Sequence, residues 1–125
     1  MSGSSAPRID CALDIAMSVI EGKWKAPILC KLLMKGDMRF NQLMKELSSI
    51  SPRILSKQLK EMETDGLIKR VINPDSPSLV EYSITEKGRS LGPPLTMLTQ
   101  WALDNMPFNM VKLPDDAIIP RRSGN

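Results

Sequence analysis

Residues 51–65 read Ser-Pro-Arg-Ile-Leu-Ser-Lys-Gln-Leu-Lys-Glu-Met-Glu-Thr-Asp, and the cations in this stretch are regularly spaced. In a helix, Arg53, Lys57 and Lys60 stand three or four residues apart and share one face. Leu55, Leu59 and Met62 fall together on the opposite face. The order along the axis carries more information. Arg53 and Lys57 occupy the N-terminal half, while Glu61, Glu63 and Asp65 crowd the last turns. A helix favours the reverse, because its N-terminus is electropositive, and each misplaced charge costs roughly 0.3–1 kcal/mol at an exposed end. A surface that meets phosphate gains from this arrangement. Backbone N–H groups, the helix dipole and the basic side chains then act together on the anion. The chemistry expected of these residues is recognition of a polyanion; the plainer alternative is a solvated face that happens to be basic.

Other chemistries lack their parts. The chain has no histidine, which removes the usual general base and the usual zinc ligand. There is no metal-ligand cluster and no Gly-rich phosphate loop, so we expect no enzyme, no metal and no cofactor. Two cysteines, Cys11 and Cys30, are too few for a disulfide framework. No apolar run approaches the ~20 residues that span a bilayer. The Ser/Gly-rich start, Met1 to Pro7, lacks a basic-then-apolar pattern and is not expected to be a signal peptide. A cytoplasmic, nucleoid-associated protein without membrane contact is expected. Net charge is +3, which fits a polyanion partner and is weak evidence alone.

The elements that must position Arg53 and its neighbours follow from periodicity and punctuation. Asp10 can cap a first helix from Cys11 to about Ile20, broken by Glu21-Gly22. A second runs from about Trp24 to Met34, with Pro27 in its first turn and Gly36 at its end. Phe40, Leu43, Met44 and Leu47 mark a third. The fourth is best specified: Ser51 as N-cap, Pro52 at the first helical position, Gly66 as a left-handed C-terminal cap. Leu67 to Ile72 and Leu79 to Ile84 then read as strands around an Asn73–Ser78 turn. Thr85 can cap a fifth helix carrying Leu91, Leu95, Leu98 and Ala102, with Trp101 beside them. Pro93-Pro94 should kink or interrupt it. Residues 1–9 are expected to be a disordered arm or an expression scar, 10–106 the domain, and 107–125 an extended or disordered tail.

The expected fold is mainly α with a small β-hairpin: a winged helix-turn-helix. Arg53, Ser56 and Lys57 project from the first turns of the fourth helix, the part that enters a major groove, so they are assigned to base edges. Ser51, Arg39, Asn41 and Lys60 are assigned to phosphates, with Pro52 shaping the helix start. The expected partner is double-stranded DNA. The competing reading is a winged-helix protein-interaction module without DNA affinity, which would tolerate charge reversal at Arg53 and Lys57.

Several segments together resemble one known family. They include Cys11-Ala12-Leu13-Asp14, Gly22-Lys23-Trp24, Arg39-Phe40-Asn41-Gln42-Leu43 and Ile50-Ser51-Pro52-Arg53-Ile54-Leu55-Ser56. Leu59 to Ile68, Val80 to Thr85 and Gly88 to Leu91 complete the set. The chain resembles the HxlR-type winged helix-turn-helix regulators, relatives of the MarR group, from Cys11 to about Trp101. The resemblance implies a homodimer joined through the first and last helices, acting as a repressor or autoregulator on a pseudo-palindromic operator. It also places Cys11 where some members carry a cysteine that senses oxidants, quinones or aldehydes, so a small electrophile or oxidant is a further expected partner. A buried interface residue is the other reading of Cys11, and Cys30 reads as packing, with a partner thiol as its alternative. The wing departs from the family pattern. Leu79 stands where a basic residue is common, and the tip from Pro74 to Ser78 has no Lys or Arg. Lys69 and Arg70, near the hairpin base, are assigned to backbone contact instead.

Overall fold

Local chemistry sets where each helix starts and stops, and the tertiary contacts then join them. The structure, a computed structural model, describes residues 11–107. Residues 1–9, the expected cap Asp10 and residues 108–125 of the expected tail lie outside the described residues. Helix α1 spans Ala12–Ile20. Cys11 is its extended N-cap (φ −154°, ψ 127°) and not its first turn; its carbonyl accepts the Asp14 N–H at 3.0 Å. Helix α2, Lys25–Lys35, tolerates Pro27 because that N–H would have no intrahelical partner anyway. Gly36 ends it at φ 84°, a conformation costly for a residue with a Cβ.

Strand β1 (Met38–Arg39) was not expected. Two residues are too short to show a period of two. Helix α3 (Phe40–Glu46) follows at once, and the Arg39 N–H donates to Gln42 Oε1 at 2.8 Å to hold its start. The turn into the next helix passes through Ser49 at φ 76°. A left-handed L-residue costs roughly 1–2 kcal/mol, partly offset in glycine by its greater chain entropy. Ser49→Gly should therefore stabilise the domain by about 0.5–1 kcal/mol, read as a higher urea midpoint. An unchanged or lower midpoint would show that the turn is not strained.

Helix α4 spans Pro52–Thr64, with Ser51 as N-cap and Asp65 as C-cap. Strands β2 (Ile68–Ile72) and β3 (Val80–Ile84) form the expected hairpin. With β1 they make a three-stranded antiparallel sheet in the order β1-β3-β2. Met38 pairs with Tyr82, and Tyr82 with Arg70. The core lies under the sheet and between α2, α3 and α4. Ile28, Leu29, Leu32, Leu43, Leu55, Leu59, Met62, Leu67 and Ile68 are almost fully buried there.

The expected fifth helix is two helices. Thr85 caps α5 (Glu86–Arg89), its hydroxyl oxygen accepting the Gly88 N–H at 3.0 Å. Helix α6 runs from Gly92 to Asn105. Pro93 and Pro94 therefore lie in the first turn of α6 and not inside a longer helix, because only a first turn leaves N–H groups unneeded. The break falls just upstream, at Ser90-Leu91. Leu95 and Leu103 turn inward from α6, while Leu98, with Met97 and Trp101, stays exposed. Helix α1 has no buried residue, and its Leu13, Ile15 and Met17 are likewise exposed.

Candidate nucleic-acid interface

Helix α4 presents the basic face the sequence implied. Leu55, Leu59 and Met62 dock it onto the core, which turns Arg53, Ser56, Lys57 and Lys60 to solvent. Ser51 Oγ accepts the Ile54 N–H at 3.1 Å, so the oxygen is used in capping and the hydroxyl hydrogen is left to donate outward. Pro52 is exposed at the first helical position.

The acidic end of α4 has structural partners that the charge pattern alone did not reveal. Glu61 accepts an ion-paired contact from Lys25 Nζ at 2.9 Å. Lys25 is only 7% exposed, the one buried charged residue among the described residues. Lys87 of α5 donates from Nζ to the Asp65 carbonyl at 2.8 Å, a cation at a helix C-terminus where the dipole favours it. The acidic end of α4 is thus held by these contacts, while the basic start keeps its unfavourable place against the helix dipole. At that other end the first turn of α4 holds Arg53 and no acidic residue. The only hint of Lys25 in the sequence was a lysine in a first helical turn, which calls for a partner.

The Lys25 hydrogen bond and charge, with Lys57 adding to them, hold the Glu61 carboxyl below its ordinary value of 4.5. A carboxylate with a lowered folded-state pKa stabilises above the unfolded value and loses that contribution as pH falls through the folded one. Glu61→Gln should therefore lower the urea midpoint at neutral pH, and the gap to the wild type should close below about pH 4.5. A gap of the same size at all pH values would mean that the pair does not act through charge. Helices α2 and α3 are joined in the same manner. Glu46 takes Lys31 at 3.3 Å and Lys35 at 3.5 Å. Helix α2 is thus the frame from which both helices of the helix-turn-helix are held.

Arg39 and Asn41 come from a different part of the surface. With Phe40, Gln42 and Lys45 they line an open groove of about 360 Å³, whose other wall is Ser78, Leu79 and Val80 at the start of β3. The sequence did not show that α3 borders the wing, because the pairing of β1 with β3 that brings them together is a long-range contact. Lys45 was missed for the same reason, although it stands four residues after Asn41. In the wing, Lys69 and Arg70 are both exposed but face opposite ways. Arg70 pairs with Tyr82 on the face that continues to buried Ile68 and Ile84. Lys69 pairs with Ser83 on the outer face, which it shares with Arg39. One DNA strand running along one face of the sheet can meet only one of them.

Cys11 is exposed at the start of α1. Cys30 is half-buried, and burial pushes its thiol pKa up, against a smaller lowering by Lys31, which makes it a poor nucleophile. No group of side chains among the described residues could hold a metal ion. No described helix is long and apolar enough to cross a membrane.

A short helix, a turn, a docked helix with a solvent-facing basic start and a hairpin next to it form a winged helix-turn-helix, and residues 19–110 match the model of HxlR-like helix-turn-helix proteins. The chain belongs to the HxlR-like helix-turn-helix family. An HTH-type transcriptional regulator of Methanothermobacter thermautotrophicus is 41% identical over 91 residues, covering 73% of this chain and 69% of that protein. Among solved structures, the redox regulator HypR in its reduced form superposes with a TM-score of 0.71 at 34% identity, over 80% of this chain and 98% of that one. A MarR-family transcriptional regulator from Enterococcus faecalis V583 superposes with a TM-score of 0.68 at 33% identity, over 82% of this chain and 93% of that one. This HxlR-like protein is therefore a transcriptional regulator of the helix-turn-helix type, with a MarR-like winged-helix fold. The family is one of regulators and not of enzymes.

Proposed function

We propose that this HxlR-like chain is a homodimeric repressor or autoregulator in the cytoplasm that binds a pseudo-palindromic DNA operator through α4. The observation that carries the reading is the first half of α4, where Arg53, Ser56 and Lys57 are exposed near a helix N-terminus whose first turn holds no acidic residue. Arg53, Ser56 and Lys57 read base edges, while Ser51, Lys60, Arg39 and Asn41 hold phosphates. Pro52 shapes the helix start. Lys69 or Arg70 contacts the backbone from the base of the wing. The apolar surfaces left open on α1 and α6 favour a two-fold partner, with Trp101 59% and Leu13 63% exposed. A dimer would set two copies of α4 about one DNA turn apart, at 34–36 Å.

The test is selection of bound sequences from a random DNA pool, followed by titration at two salt concentrations. An inverted repeat with a steep salt dependence is the expected result. No enrichment, with affinity for a protein instead, would favour the winged-helix interaction module. Cys11 supplies a signal input in this reading: it is an exposed thiol, and HypR, which is similar to this chain, is a redox regulator. Diamide or a quinone should lower the operator affinity of the wild type by several-fold and leave Cys11→Ser unchanged. Equal affinity of the treated and untreated wild type would remove Cys11 from the mechanism.

A further inference from the structure

Ile54 lies beside the basic residues of α4 and belongs to neither the core nor the charged face. It is 42% exposed, the only large apolar side chain on α2, α3 or α4 that is exposed among the described residues. The other exposed large apolar side chains lie on α1, on the wing, or on α6 and the residue that ends it. Its place in the helix is well defined. It is the third residue of α4, and its N–H is held by the Ser51 hydroxyl at 3.1 Å. Arg53 precedes it, and Lys57 stands three residues on, so the isoleucine borders the basic face at the helix start. A β-branched side chain has one strongly preferred χ1 rotamer in a helix, so its methyl groups point in a fixed direction.

On the proposed reading, the first turn of α4 enters the major groove. There the one apolar feature that a base pair offers is the C5-methyl group of thymine. We infer that Ile54 is a specificity-determining residue, packing its exposed methyl groups against a thymine methyl within each half-site. The inference rests on the DNA-binding reading and adds to it a base that no cation could select. Arg and Lys favour guanine O6 and N7, and a serine hydroxyl accepts several bases. A stiff aliphatic group distinguishes thymine from cytosine at the same position by shape alone.

The experiment replaces each thymine of the selected operator by deoxyuridine in turn, which deletes one methyl and changes no hydrogen bond. At one position per half-site the wild type should lose about four-fold in affinity, the worth of one buried methyl group. Ile54→Ala should bind the thymine and deoxyuridine versions of that position equally. Ile54→Thr, which keeps the branch and one methyl, is the second variant, and thermal melts of both check the fold. If no thymine is sensitive, or the sensitivity survives in both variants, the inference is overturned while DNA binding stands. If the pool yields no sequence at all, the DNA-binding reading fails and takes this inference with it.

Discussion

Gly88→Ala should remove much of the stability of the domain. A Cβ on Gly88 would stand 2.2 Å from the Leu67 carbonyl oxygen and 2.9 Å from Ile84 Cγ1. The first of these is backbone and cannot swing aside. That carbonyl already accepts the Thr85 N–H at 3.0 Å, and the neighbouring Gly66 carbonyl accepts the Thr85 hydroxyl at 2.6 Å. Lys87 adds its hydrogen bond to the Asp65 carbonyl. Helix α5 is thus a clasp that fastens the end of the wing to the end of α4. An alanine forces the clasp open or shifts the Gly66-Leu67 corner, and either loses these hydrogen bonds together. Overpacking of this kind costs about 3 kcal/mol or more, against a typical total of about 5–15 kcal/mol. The melting temperature, followed by circular dichroism, should fall by more than about 10 °C for a domain of this size. A fall of only a few degrees would mean that α5 relaxes away from Leu67 without loss. Because the same clasp sets the wing relative to α4, the folded fraction should also bind DNA less well.

Arg53→Ala combined with Lys57→Ala should abolish most operator discrimination while leaving the fold intact. Both side chains are solvent-exposed, so their removal creates no cavity. A bidentate contact from a cation to guanine contributes about 1–3 kcal/mol of discrimination. Losing contacts of this kind in two half-sites should lower operator affinity by about 100-fold or more. Binding to unrelated DNA should change much less. Lys60→Ala should behave differently. It should weaken all sequences alike and flatten the salt dependence by about one for each phosphate contact removed. Titration of operator and random DNA at two salt concentrations separates the patterns. If the double variant binds the operator as the wild type does, α4 is not the reading helix. If Lys60→Ala acts on the operator alone, its assignment to phosphate is wrong.

Much of the domain was legible wherever the signal was local. Ser51, Pro52 and Gly66 are residues whose own chemistry starts or stops a helix, so α4 could be read to within a residue at each end. The hairpin was legible because a β-branched run, a Pro/Asn/Asp turn and a second run follow in order. The misjudged details depended on partners. Pro93 and Pro94 correctly signalled a break, but its position upstream depended on the first turn of α6 being the place where a missing N–H costs nothing. Strand β1 exists because Met38 and Arg39 meet Tyr82 and Glu81, more than forty residues away in the chain.

The candidate site divides along the same line. The sequence alone determined which side chains α4 offers to solvent, because helical spacing decides which residues share a face and the apolar ones must take the core. It also determined that the wing tip is poor in cations, whatever its fold. Only the tertiary structure decided how those side chains are held and what stands next to them. Lys25 is buried against Glu61, Lys87 closes the end of α4, and Arg39 and Asn41 face the wing across one groove. Tertiary structure also decided that Lys69, and not Arg70, shares a sheet face with Arg39. The physical reason is range. Helix caps and periodicity act within a few residues, whereas the partner of a buried lysine or a sheet register depends on segments that only the folded chain brings together.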